Sequence, residues 1–134
     1  MGIFIDYKSN PFNNLNNTPQ TIVETTANTL WVQSIIITNL GESDIRINLK
    51  FVRATTPSVP EIFLTKDFLI PAATNPREYR DRTLFNTVDL VEVLGIKKNL
   101  QYGVGLTESL VCYSNGYSQV FDCCVDYSSL NESV

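Results

Sequence analysis

The stretch from Asp44 to Arg53 alternates Ile45, Ile47, Leu49 and Phe51 with Asp44, Arg46, Asn48 and Lys50. A helix would repeat its apolar face every ~3.6 residues. A period of two means a strand with one face on a core and the other in water. Before it, Leu30 to Asn39 reads as a longer strand whose middle, Ile35, Ile36 and Ile37, is apolar on both sides. That pattern predicts a position in the centre of a sheet or beneath a partner. Gly41, Glu42 and Ser43 lie between the two strands, with Asn39 placed to cap the first, so the sequence predicts a hairpin from Thr29 to Arg53.

At 134 residues the chain is about the size of one ordinary domain. Its formal charge of -4 offers no broad positive field, which argues against direct nucleic-acid binding through phosphates. Arg77, Arg80 and Arg82 are interleaved with Glu78 and Asp81 and read as a solvated loop. Met1 to Asn10 has one Lys and no long apolar stretch, and no segment approaches the ~20 apolar residues of a membrane span. Synthesis in a reducing cytoplasm is therefore expected. The three cysteines, Cys112, Cys123 and Cys124, are an odd count, and the adjacent pair should point to opposite sheet faces. Free buried thiols are expected instead of disulfides.

The N-terminal part divides into an apolar patch, Ile3, Phe4, Ile5 and Tyr7, and an Asn-rich run from Ser9 to Thr18 that contains Pro11 and offers only Phe12 and Leu15 for burial. Asn and Pro favour irregular backbone, so residues 1–18 are expected to form an irregular arm and residues 19–134 a single β-sandwich domain. Within the latter, Gln20 to Glu24 predicts a short strand. Glu61 to Ile70 predicts another, with Ile62 and Leu64 inward and a polar kink at Thr65 to Asp67. Ala72 to Arg82 reads as a surface excursion, and Leu84 to Leu94 as a strand whose end, Asp89 to Leu94, equally fits one helical turn. Leu110 to Ser114 and Tyr117 to Tyr127 flank Asn115 and Gly116, the signature of a two-residue hairpin in which Ser114 would face Tyr117 and Cys112 would face Gln119. Phe121, Cys123, Val125 and Tyr127 would then share one face, and Val120, Asp122, Cys124 and Asp126 the other. The sum is an all-β fold, an antiparallel β-sandwich or jelly-roll-like arrangement of about seven or eight strands.

The chain contains no His, which removes the usual general base near neutral pH, the commonest metal ligand, and every Ser-His or Cys-His nucleophile. Three cysteines without His do not make a structural zinc set. The Gly103-Val104-Gly105 triplet lacks the Lys and following helix of a phosphate loop and reads as a turn. Asp89 with Glu92, and Asp122 with Asp126, are carboxylate pairs without distinctive context; the second alternates with apolar residues as an exposed sheet face does. Catalytic, cofactor-binding and metal residues are therefore assigned as none, and no cofactor is expected.

The strand from Trp31 to Asn39, its turn, and the alternating Ile45 to Phe51 resemble a group of small bacteriophage virion structural proteins. Phe68, Leu69, Ile70, Pro71 and Ala72 look like that group's strand end, and Glu108, Ser109, Leu110 and Val111 are similar to its Gly-Asp-Ser-Leu turn into a strand, with Thr107 and Glu108 replacing the Gly-Asp. The resemblance runs from Thr25 to Tyr127. It implies a non-enzymatic component of a virus particle, made in the host bacterial cytoplasm and located in the virion. Its leading form is a capsid decoration or cement protein; a neck, tail or baseplate component is the alternative. The implied partners are other virion proteins, the major capsid protein or neck and tail proteins, together with further copies in a homo-oligomer such as a trimer, with no nucleic acid and no membrane. The expected assembly surface is Ile3, Phe4, Ile5, Tyr7, Phe12, Leu15 and Trp31, and deleting residues 1–18 is expected to spare the fold but weaken assembly. A second alternative is a carbohydrate-binding module stacking sugars on Tyr79, Tyr102, Tyr113 or Tyr117.

Overall fold

The structure is a computed structural model that describes residues 2–54, 61–72, 86–96, 99–103 and 105–133. Among them are ten strands and one short helix: β1 (Gly2–Leu15), β2 (Gln20–Glu24), β3 (Leu30–Asn39), β4 (Ile45–Ala54), β5 (Ile62–Ile70), β6 (Asn86–Asp89), α1 (Leu90–Leu94), β7 (Asn99–Leu100), β8 (Tyr102–Gly103), β9 (Leu106–Ser114) and β10 (Phe121–Ser133). They form two antiparallel sheets, one in the order β1-β10-β3-β6 with β7 also on β3, the other in the order β2-β9-β4-β5 with β8 on β9.

The pairing is nested. The first strand pairs with the last, β1 with β10; then β2 pairs with β9, β3 with β6, and β4 with β5. The ladders of β10 with β3 and of β9 with β4 join these pairs into two layers. A chain doubled back on itself and wound into two sheets has this order, which is the jelly roll.

The core lies between the layers. Ile35, Ile37, Phe121, Cys123 and Val125 of one sheet meet Ile47, Leu49, Phe51, Leu110 and Cys112 of the other, all buried. The alternation in β4 is as expected, and β3 is central in its sheet, with Ile36 half-buried on the outer face opposite Cys124. The two faces of β10 also divide as expected: Phe121, Cys123 and Val125 point inward with Tyr127 packed against them.

Both expected hairpins are corrected. β3 and β4 belong to opposite sheets, so the segment between them is an arch across the sandwich. Asn39, fully buried, holds that arch: its Nδ2 donates to the carbonyls of Ser43, Ile70 and Pro71 at 3.0, 3.2 and 3.0 Å, and its Oδ1 accepts from the Gly41 N–H at 3.0 Å. β9 and β10 are likewise in opposite sheets. Ser114 pairs with Ile47 and Cys112 with Leu49, so residues 115–120 form a crossing connection instead of a two-residue turn.

The Asn-rich segment is a second correction: residues 2–15 form β1 and pair with β10 from Gly2↔Ser133 to Leu15↔Phe121. Pro11 is tolerated because β1 is an edge strand and the outward side of an edge needs no ladder donor. The irregularity is confined to a bulge between Phe12 and Leu15, where Asn14 takes φ +57.

Leu84 and the excursion to Arg82, except Ala72, lie outside the described residues. The end of the next segment is the helical turn α1, because Asp89 caps it by accepting the Val91 N–H at 3.0 Å and Gly95 ends it at φ +67. In β5 the polar kink is present as a register shift against β4 with Asp67 at φ +57; Leu64 packs on the core, and Ile62, paired opposite the buried Phe51, stays 55% exposed at the margin of the sheet.

Candidate assembly surface

The residues expected to form an assembly surface divide into two groups. Ile5 and Tyr7 on β1 are 54% and 70% exposed. Ile3 and Phe4, placed by register alone, continue the same edge opposite Glu132 and Asn131. Phe12 and Leu15 instead pack against the core, and Trp31 is half-buried in β3 between Ser128 and Asn99. Of these residues, Ile5 and Tyr7 lie at the surface, and Phe12 and Leu15 anchor β1 to the sandwich.

That anchoring is specific. Asp126 on β10 accepts a hydrogen bond from the Ser9 hydroxyl of β1, and its other oxygen accepts from the Ser34 hydroxyl of β3 at 2.9 Å. One carboxylate thus ties three adjacent strands across the outer face. Asp122, two pleat repeats along the same strand, accepts the Asn14 N–H at 2.9 Å and so holds the bulge. The inner side adds Asn10, whose Nδ2 donates to the Ile22 carbonyl at 3.2 Å. These aspartates do structural work in the sheet, and among the described residues no group of three or more His, Cys, Asp or Glu side chains is arranged to hold a metal ion.

The second sheet has its own exposed apolar edge, not singled out from the sequence: Ile62, Phe63 and Leu69 of β5 are 55%, 43% and 42% exposed. The Lys50 and Lys66 ammonium groups sit 5.8 and 5.4 Å from the Phe63 ring centroid, within cation–π range. The signal was in the sequence as Ile62-Phe63-Leu64, three apolar residues in a row, of which Leu64 packs against the core and the other two stay exposed.

At one end of the sandwich the connections 16–19, 40–44 and 115–120 come together. The Ser114 N–H donates to the Asn16 carbonyl at 2.9 Å, and the Arg46 N–H to Gln119 Oε1 at 2.8 Å. Asn115 accepts from Asn48 Nδ2 at 2.6 Å and donates to Asp67 at 2.5 Å, so its side chain is spent on fixing the crossing connection. An open groove of about 310 Å³ runs here along Leu40, Glu42, Asp44, Gln119 and Val120.

At the other end Glu108 is buried, with Arg53 Nε donating to one oxygen at 2.7 Å and the Gln101 N–H to the other at 2.8 Å. Thr25 joins β2 to the same residue through its N–H and hydroxyl on the Glu108 carbonyl, at 3.0 and 3.3 Å.

The tyrosines do not converge. Tyr102 precedes β9 and Tyr117 follows it, so they sit at opposite ends of a nine-residue strand, roughly 25 Å apart. Tyr113 is half-buried with Lys50 5.3 Å from its ring centroid, and Tyr79 lies outside the described residues.

All three cysteines are free thiols. Burial pushes the Cys112 thiol well above its ordinary value, with Cys123 adding to the effect. Burial and then Cys124 push Cys123 from 9.0 to about 12. Cys124, outward on β10, is raised by desolvation and by Asp126.

No protein-family model and no curated protein matches the chain. Among solved structures, one titled "Structure of infectious bursal disease virus Gx strain" is similar with a TM-score of 0.47 and 6% identity, over 96% of this chain. This chain spans 32% of the length of that one.

Proposed function

We propose that the chain is a non-enzymatic structural component of a virus particle. The observation that carries this reading is the combination of a jelly-roll pairing order with edge strands, β1 and β5, that leave Ile5, Tyr7, Ile62, Phe63 and Leu69 exposed. The jelly roll serves as a capsid building block, a lectin scaffold and a cupin scaffold, so the fold alone does not choose among them. Cupin-type metal chemistry is disfavoured by a sequence without His. The lectin alternative needs aromatic rings on one platform, and Tyr102 and Tyr117 stand at opposite ends of β9. Exposed apolar edges fit protein contacts better.

The resemblance to small bacteriophage virion proteins adds the finer reading: a decoration or cement protein that contacts capsid subunits, with a neck, tail or baseplate position as its alternative. Incubating the purified chain with heads and with tails that lack it, followed by sedimentation, tests both. Pelleting with heads supports decoration, and pelleting with tails moves the protein to the tail machinery. A chain that binds neither but recognises particular glycans on an array is a lectin, and the particle reading fails.

A further inference from the structure

The edge of β1 is unevenly protected. From Pro11 onward it is closed to another strand: proline has no donor, and the bulge between Phe12 and Leu15, with Asn14 at φ +57, bends the backbone away. Residues 2–10 contain neither a proline nor a bulge and lie at the margin of their sheet, paired only on the β10 side among the described residues. Ile5 and Tyr7 stay exposed along this part.

The charges on the open part have a symmetry of their own. Asp6 and Lys8 flank Tyr7, with Lys8 Nζ 3.6 Å from Asp6 Oδ2 within the strand. Two antiparallel copies of this edge centred on Tyr7 set Asp6 opposite Lys8 of the partner subunit, and Lys8 opposite Asp6 of the partner subunit. The four charges then alternate in sign around a square, so each has only opposite neighbours. The two Tyr7 rings meet on the axis, and the ladder ends where Pro11 does. Shifting the register by one residue in either direction sets each charge against an uncharged residue.

We propose that two copies of this chain associate through β1 about a two-fold axis at Tyr7, joining their β1-containing sheets into one continuous sheet. Such a contact is isologous, as two-fold interfaces are, and its hydrogen bonds are those of β-strand addition. This goes beyond the particle reading and is tested on the purified chain alone, so its failure leaves particle binding untouched.

The test is sedimentation equilibrium over a wide concentration range for the wild type, D6K, K8D, an equimolar mixture of D6K and K8D, and the double swap D6K/K8D, with thermal melts confirming that each is folded. The wild type is expected to dimerise. Each single variant places like charges opposite one another twice and should dimerise about tenfold more weakly or worse. The mixture restores both cross-strand pairs and should recover a heterodimer, and the double swap should recover the homodimer. A wild type that is monomeric throughout or trimeric overturns the proposal. So do single variants that associate like the wild type, or a mixture that stays as weak as its components.

Discussion

Arg53 and Glu108 form an asymmetric ion pair: the Nε–H donates to the carboxylate at 2.7 Å, yet the Glu108 side chain is 1% exposed and the Arg53 side chain 43%. Water can solvate the arginine if the partner is lost, whereas the buried carboxylate has, among the described residues, only the Gln101 N–H besides. Arg53→Ala should therefore cost about 2 kcal/mol, and Glu108→Gln, which keeps an acceptor for Gln101, less than that. Urea denaturation at neutral pH measures both. An equal or larger loss for Glu108→Gln would mean the arginine does not carry the pair.

Alkaline pH should weaken the fold through the thiols. In the folded chain Cys112 and Cys123 hold their protons more tightly than in the unfolded chain, so above the unfolded thiol pKa of about 8.5 the unfolded state binds fewer protons and is favoured. Stability should be complete below that pH and fall as pH rises toward about 12, the value reached by Cys123. Comparing denaturation midpoints near pH 7 and pH 10, for wild type and Cys123→Ala, checks this. The variant should show a shallower decline.

Asp126 binds Ser9 and Ser34 on its two sides, so Asp126→Ala removes two charge-assisted hydrogen bonds at once. Because both hydroxyls lie on the outer sheet face and can turn to water, the expected cost is about 1–2 kcal/mol. The loss should be local first: hydrogen exchange in β1 should accelerate more than in β4. Uniform acceleration across both sheets would contradict the role given to this carboxylate.

Deleting residues 1–18 should destabilise the domain. The deletion strips β10 of one of its two neighbours along twelve register pairs and removes Phe12 and Leu15 from the core surface. This reverses the expectation drawn from the Asn-rich composition. A truncated chain that melts like the full one would show that β1 is dispensable.

The core expectations from sequence stand in sharper form. Ile47 and Leu49 are fully buried, and truncating either to Ala should cost about 2–5 kcal/mol. A loss below about 1 kcal/mol at either would place its side chain outside the core.

Which residues face inward was legible because alternation is local: Ile45 to Phe51 and Phe121 to Val125 declare their buried faces without reference to a partner. Which strand pairs with which was not. A short polar connection such as Gly41 to Ser43 serves an arch between sheets as well as a hairpin within one, and the nested order emerges only from long-range ladders such as β1 with β10. Ser9 to Leu15 misled for a related reason: its strand character comes from β10 and from Asp126, more than a hundred residues away, and not from its own propensity. Of the candidate surface, Ile5 and Tyr7 were readable as an apolar patch. The β5 edge was present only as the apolar run Ile62-Phe63-Leu64, whose exposed members cannot be told from core residues until the strand is known to be an edge.

Binding to virus particles is the function proposed for the exposed edges of β1 and β5. Purified chain, titrated onto particles assembled without it and pelleted, should co-sediment to saturation at a fixed ratio to the major particle protein, on heads for a decoration protein and on tails or necks for a tail component. A chain that remains in the supernatant at every ratio, with both kinds of particle, would contradict it.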